Sequence, residues 1–368
     1  MSPRFAAEDG RLKGATCGLA AAALFGASAP LAKLLLPGAS PLSLSALLYL
    51  GAGIGLTLPA LVRRPRVPAR PAEAPFRGRD WALLGLISLT GGVIAPLLML
   101  WGLGRLSGVV ASLLLNLEGP FTVLIAVAFF GEHLGRREAW AAALVLSGAA
   151  LLTWQAGAIH VDGPGVLALA GACALWGIDN NLTQRLTLRD PLVLVRGKTL
   201  GAGLVSLALA FAFGADFPRG LLLAAALLLG SLSYGLSVLL DTYALRLLGA
   251  AREAAFFATA PFAGAALAIP LLGERPTLGD AGAGLFLAAG VATLLVARHG
   301  HGHTHDALEH EHAHTHDEHH QHEHDGPVHE THSHPHRHLA LTHDHPHVSD
   351  SHHRHRHGRG PEVRDPTF

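Results

Sequence analysis

Only two cysteines stand in the 368 residues, Cys17 and Cys173. Both fall inside apolar runs, so a disulfide framework is excluded and each reads as a small buried side chain. Charge is equally scarce. Asp, Glu, Lys and Arg make up 15% of the chain and cancel to a net of zero, and no nucleic-acid partner is expected. Alternating apolar and polar residues are missing between residues 14 and 297, which excludes half-buried strands there. The same stretch has no phosphate-binding glycine loop, no nucleophile beside a base, and no metal-ligand set of fixed spacing. No enzyme is expected, and no required cofactor.

What is present is hydrophobic length. Half of the residues are hydrophobic, and a bilayer-spanning helix needs about 20 of them in a row. Ten such segments can be drawn, at 15–36, 40–62, 81–102, 108–130, 136–154, 164–186, 191–213, 219–245, 251–272 and 277–297. Abundant Gly and Ala suit close helix contact in lipid. No cleavable signal peptide is evident, because segment 2 follows segment 1 after only a few residues.

The segments repeat. Pro120-Phe121 and Phe130-Gly131-Glu132 in the first half are answered by Pro261-Phe262 and Leu272-Gly273-Glu274 in the second. Leu24-Phe25-Gly26 and Pro41 are answered by Leu175-Trp176-Gly177 and Pro191. Each half holds five segments, an odd number, so the second copy enters the membrane from the opposite side. The expected fold is all-α and integral to the membrane: ten transmembrane helices as two inverted five-helix repeats, with a disordered C-terminal tail. The divisions are an N-terminus at 1–14, repeats at 15–154 and 164–297, and the tail at 298–368. One set of loops carries fifteen Arg and Lys and the other only Arg105, Arg219 and Arg275. The positive-inside rule then puts both termini in the cytoplasm.

These blocks resemble the EamA family of the drug/metabolite transporter superfamily, ten-helix bacterial permeases. The resemblance covers residues 12–297 and rests on Pro120–Glu132, Pro261–Glu274 and Asp190-Pro191 with Arg196. In the first repeat Ala46 stands where the arginine would be. The resemblance implies two inverted bundles, a multi-pass location in the bacterial inner membrane, and a permease or exporter role. It implies no particular substrate.

Depth sorts the polar candidates, because an ionisable group at mid-bilayer costs several kcal/mol unless paired or hydrated. Glu118 lies about ten residues into segment 4, beside Asn116, with Pro120 leaving the Asn116 carbonyl without its helical donor. It reads either as a substrate or proton site, or as a packing kink whose carboxylate meets a buried cation. Trp176, Asp179, Asn180 and Thr183 share one face of segment 6 by their spacing, either lining a cavity or filling an interface. Tyr234 and Asp241 belong to a stripe on segment 8, with simple solvation the alternative for Asp241. Arg196 and Lys198 lie one to two turns into segment 7 and either snorkel or pair with Asp179 or Asp241. Lys33, near the end of segment 1, reads as a snorkelling side chain or a gate. Glu132 and Glu274 read as architecture beside left-handed glycine caps.

The tail holds 24 of the 26 histidines. Many stand as His-x-His: His301, His303 and His305; His312, His314 and His316; His332, His334 and His336. Almost no apolar residue accompanies them, so no core is expected. Neutral imidazole binds zinc, nickel and cobalt well, so divalent metal binding by the tail is expected. Residues 299–368 carry 12 acids against 5 arginines. Because histidine titrates near pH 6.5, the tail also reads as an electrostatic switch or, more simply, as a buffering appendage.

The leading expectation is a proton-coupled exporter of a small organic solute working by alternating access, with Glu118 as first and Asp179 as second proton carrier. The alternatives are a Ni, Co or Zn permease fed by its tail, and a non-transporting anchor for a metal buffer. Expected partners are a small-molecule substrate, the lipid bilayer and metal ions, with the chain acting as a monomer or homodimer.

Overall fold

The computed structural model describes the backbone of residues 3–62, 76–130, 136–155, 162–186, 189–248, 256–296, 299–305, 308–314, 332–338 and 341–347. Among the described residues ten helical units follow one another. α1 is Pro3–Gly26 continued by Ser28–Leu35, and α2 is Pro41–Val62. α3 runs Gly78–Ile87, passes through a π-helical stretch Ser88–Ile94 and continues as Ala95–Arg105. α4 is Gly108–Leu114, a 3-10 turn Leu115–Leu117, then Glu118–Phe130. α5 is Arg136–Gln155, α6 Gly163–Thr183 and α7 Pro191–Ala212. α8 runs Leu221–Leu229, a second π-helical stretch Gly230–Leu236, and Ser237–Leu248. α9 is Ala260–Leu272 and α10 Leu278–Val296.

Among the described residues six spans are long and apolar enough to cross a bilayer: Leu12–Gly38, Pro41–Leu58, Gly78–Arg105, Gly108–Phe129, Leu192–Ala212 and Leu221–Asp241. Shorter apolar stretches occupy Ala139–Leu152, Ala260–Leu272 and Leu278–Thr293. α6 has 21 residues, roughly 31 Å at 1.5 Å per residue, and carries the polar stripe. The outer surface is what a lipid-facing bundle needs. Leu221 is 85% exposed and Phe129 80% exposed, which water would penalise and acyl chains do not. The chain is a multi-pass membrane protein.

The helices pack in pairs that repeat with a shift of five. α1 packs on α8 as α6 packs on α3; α1 meets α9 as α6 meets α4; α2 lies on the π stretch of α8 as α7 lies on that of α3. The remaining large contacts, α2 with α7, α4 with α9 and α5 with α10, map onto themselves under that shift. This is the signature of two repeats around a pseudo-twofold axis, and the two π-helical stretches obey it as well. Without a hydrophobic drive between helices in lipid, close backbone approach carries the packing. The α2–α8 contact depends on two facing glycines. A Cβ at Gly51 would stand 2.2 Å from the Leu227 carbonyl oxygen, and one at Gly230 would stand 2.1 Å from that of Leu48.

Helix ends follow local chemistry. Asp190 caps α7 by accepting from Leu192 N at 2.8 Å, with Pro191 in the first turn. Gly273 ends α9 in the left-handed region (φ 66°), as the sequence leads one to expect. Gly131 and Glu132 lie outside the described residues. Four seven-residue strands are described within the tail. We label them β1 (His299–His305), β2 (Leu308–His314), β3 (His332–His338) and β4 (Leu341–His347). β1 pairs with β4 and β2 with β3, both antiparallel.

Candidate functional site

The polar centre is assembled by breaks in three helices. In α4 the 3-10 turn Leu115–Leu117 tightens the helix just before Glu118, whose N–H donates to the Leu115 carbonyl. Pro120, two residues on, offers no N–H to the Asn116 carbonyl. Glu118 is thereby set at the start of the second half of α4, half-buried. Its Oε1 accepts from Asn180 Nδ2 of α6 at 2.8 Å, and that amide also reaches Thr122 Oγ1 at 3.4 Å. Thr122 Oγ1 donates to the Glu118 carbonyl at 2.9 Å. Among the described residues no ion pair reaches the Glu118 carboxylate.

One residue earlier on α6, Asp179 turns the other way. It is 3% exposed, and its Oδ2 accepts from Lys198 Nζ of α7 at 2.5 Å. Its Oδ1 has no hydrogen-bond partner among the described residues. The sequence allows Lys198 or Arg196 as the partner of Asp179 or Asp241; the structure chooses Lys198 with Asp179. Arg196 instead donates to the Leu56 carbonyl of α2 from Nε at 3.1 Å and Nη2 at 2.8 Å. The π-helical stretch of α3 meets this pair through Gly91, where a Cβ would stand 2.3 Å from Asp179 Cγ. The Gly91 carbonyl accepts from Trp176 Nε1 at 3.0 Å and from Tyr49 OH at 2.9 Å. π-Bulges of this kind recur at functional positions.

An aromatic wall continues from Tyr49. Its ring lies 5.6 Å from that of Tyr234, which meets Phe25 edge-on at 6.0 Å; Phe25 in turn lies 5.1 Å from Phe257. Sequence reading identifies Tyr234 but misses Tyr49 and Gly91. The Gly91-Gly92 pair inside an apolar run was the available signal, since paired small residues mark helix irregularity.

The other candidates fall into place individually. Asn116 is buried and donates to the Leu113 carbonyl of its own helix at 2.9 Å, so its amide is spent locally. The segment 6 stripe divides: Trp176 and Asp179 serve the α3 and α7 side, while Asn180 serves α4. Asn181, off that stripe by spacing, is buried and donates to the Thr122 carbonyl at 3.0 Å, joining α6 to α4. Thr183 is half-buried, its hydroxyl oxygen unpartnered among the described residues, and Asp241 is half-buried in the last part of α8. Lys33 donates to the Leu103 carbonyl at 2.8 Å and to that of Leu106, capping the end of α3. Glu274 has a more definite task than a water boundary. Its two oxygens accept from Gly108 N at 2.5 Å and Val109 N at 2.8 Å, closing the N-terminus of α4 where a carboxylate also suits the helix dipole. Cys173 is buried, with Sγ 3.8 Å from the Leu114 carbonyl, beside the 3-10 turn.

In the tail, His301, His303, His312, His314, His332, His334 and His336 all lie on described strands. His305 registers with Leu341, not with another histidine. His316 lies outside the described residues. Among the described residues no group of three or more His, Cys, Asp or Glu side chains is placed to hold a metal ion.

Paired five-helix repeats, broken helices at mid-span and a carboxylate at one of the breaks define a membrane transporter of the inverted-repeat kind. The chain belongs to the EamA-like transporter family, whose pattern matches twice, at residues 12–154 and 163–296. It is 30% identical over 301 residues to an uncharacterized transporter of Methanothermobacter thermautotrophicus, covering 77% of this chain and 86% of that protein. It is 29% identical over 153 residues to a protein of Streptantibioticus cattleyicolor named "Probable terminal-alkyne amino-acid exporter", covering 41% of this chain and 48% of that one. A solved crystal structure shares the fold with a TM-score of 0.57 and 21% identity, over 78% of this chain and 98% of its own.

Proposed function

We propose that this chain is a secondary transporter that exports a small organic solute bearing an amino group, in exchange for protons, by alternating access. The observation that carries the reading is the charge balance around Glu118. Lys198 compensates Asp179, while Glu118 keeps only the neutral amide of Asn180 beside it. Among the described residues no cation lies within ion-pair distance of this carboxylate, in a helix long enough to span the bilayer. Such a group costs several kcal/mol unless it is neutralised. A proton does this, and so does the ammonium of a bound solute. The two exclude each other, which is the condition for exchange on one site.

The surroundings suit the rest of such a solute. Asn180 offers hydrogen bonding beside the carboxylate, and the Trp176, Tyr49 and Tyr234 rings offer flat apolar surface and cation-π attraction. The π-helical stretches of α3 and α8 are symmetry-related weak points about which one repeat can rock against the other. Export is supported by the name of the Streptantibioticus relative. In this reading both termini face the cytoplasm, as the arginine-rich loops require. Nothing among the described residues of the helical part favours a metal permease, and a built polar centre across four helices is not needed by a mere anchor.

The test is flux in proteoliposomes loaded with single amino acids and driven by a pH gradient. Wild type should move amino-bearing solutes and ignore their N-acetyl forms. Glu118→Gln should insert and fold yet lose gradient-driven flux at least tenfold. Wild-type pH dependence in that variant sinks Glu118 as the exchange site. Equal transport of N-acetylated solutes sinks the ammonium reading.

A further inference from the structure

The two halves of α4 are held mainly by different neighbours. Its first half, Gly108–Leu114, packs against α9. The approach is close: a Cβ at Gly108 would stand 2.3 Å from Leu272 Cδ1, and one at Gly264 would stand 3.0 Å from Ser112 Oγ. Its second half, Glu118–Phe130, packs against α6. Asn181 Nδ2 of α6 donates to the Thr122 carbonyl across that contact at 3.0 Å.

Between the halves lies the 3-10 turn Leu115–Leu117. Side chains there stand in for part of the backbone ladder. Asn116 Nδ2 donates to the Leu113 carbonyl at 2.9 Å. The Cys173 thiol of α6 lies 3.8 Å from the Leu114 carbonyl and 3.9 Å from that of Leu115. Pro120 has no N–H for the Asn116 carbonyl. A mid-helix 3-10 turn served by side-chain donors can bend without stranding a buried carbonyl, which is what a hinge requires.

The far end of the first half is gripped by charge. α3 ends and α4 begins within the corner Arg105–Gly108. Lys33 of α1 donates to the Leu103 carbonyl at 2.8 Å and to that of Leu106, so a cation sits on the C-terminus of α3. Glu274, just beyond α9, accepts from Gly108 N and Val109 N, so an anion sits on the N-terminus of α4. Each charge suits the helix dipole that it meets. Glu274 belongs to the second repeat and the corner to the first, so its bonds tie the repeats together at this end of the bundle. Lys33 and Glu274 are both half-buried and lie within electrostatic reach of each other. If the corner leaves, they can pair or meet water, and neither charge is stranded.

We propose that Gly108–Leu114 is the outer gate of the transporter, a flap hinged at Leu115–Leu117 and latched by Lys33 and Glu274, an assignment that rests on the transport reading above. Opening swings the corner Arg105–Gly108 away from the end of α9. The path so uncovered leads to Glu118, the first residue after the hinge. The second half of α4 stays on α6, so Asn180 keeps its place beside the Glu118 carboxylate.

The experiment measures the latch without any solute, by double electron–electron resonance on the full chain in lipid nanodiscs. Spin labels go on Gly104→Cys and Gly282→Cys, with Cys17→Ser and Cys173→Ser in the background; the serine at 173 keeps a donor at the hinge. Both label positions have room, since a Cβ at Gly104 has its nearest neighbour at 3.7 Å and one at Gly282 has none within 4 Å. The parent protein should show mainly one short distance. Glu274→Ala should raise a longer-distance population about fivefold, the effect of losing one cap on a two-state balance. Glu274→Gln, which keeps one acceptor oxygen, should raise it less. Lys33→Met frees the same corner from the other side and should act in the same direction, which keeps the test alive if Glu274→Ala does not fold. Lower melting of the variants with the distance unchanged would make Lys33 and Glu274 architecture only and overturn the proposal. A parent protein that already sits mainly at the longer distance overturns it too. Either result leaves proton exchange at Glu118 standing, and failure of that exchange in the flux test moves neither distance.

Discussion

Lys198→Met is the most searching single change for the polar centre. Lys198 Nζ is the only hydrogen-bond donor to Asp179 Oδ2 among the described residues, and Asp179 Oδ1 already has none. The Asp179 side chain is 4% exposed and that of Lys198 20%. Removing one partner of a fully buried pair costs about 3–5 kcal/mol, because the other charge is left uncompensated. Water reaches the lysine side here, so the expected loss falls at or just below the bottom of that range, about 2–3 kcal/mol. Asp179→Asn removes the carboxylate instead. In the double variant no stranded charge remains, and an amide and a thioether of similar volume fill the space. The double variant should therefore recover most of the loss, with a coupling of at least about 1.5 kcal/mol between the two sites. The assay is unfolding of the three variants and wild type in one detergent, followed by tryptophan fluorescence, which Trp176 reports from beside the pair. Additivity within about 0.5 kcal/mol would refute the reasoning and mean that the lysine and aspartate do not depend on each other.

Gly230→Ala should fail to give a monodisperse folded protein, because its new methyl meets the Leu48 carbonyl at 2.1 Å, whereas Gly282→Ala, with nothing within 4 Å, should behave as wild type; size-exclusion profiles of the two compare them directly. Glu274→Ala should lower stability by about 1–2 kcal/mol through loss of the α4 cap, and Glu274→Gln by less, since one acceptor oxygen remains; equal melting of both variants and wild type would remove the capping role. Glu118→Gln should leave melting close to wild type while abolishing gradient-driven flux. Its melting separates the site reading from a structural one.

The membrane class, the ten helices and the two-copy plan were legible from residue order alone. Hydrophobic length and repetition are properties of consecutive residues, and a bilayer leaves helices as the form that satisfies every backbone group in one segment. The position of Glu118 well inside α4 was legible as well, because depth along a helix can be counted. Which charges meet was not. Lys198 and Arg196 are two residues apart on α7, and only the approach of α6 and α2 sends one to Asp179 and the other to the Leu56 carbonyl. The division of the α6 stripe between α4 and α3 was equally hidden, since spacing places residues on a face but does not say how many neighbours that face meets. The two π-helical stretches, the Gly91 carbonyl that gathers Trp176 and Tyr49, and the grip of Glu274 on α4 are contacts between residues about 40 to 170 positions apart. They exist because glycines let backbones close to within touching distance, and that distance is decided by packing in three dimensions. In the tail the sequence determined a period of two and an abundance of imidazole; the register that sets histidine against histidine belongs to the folded chain.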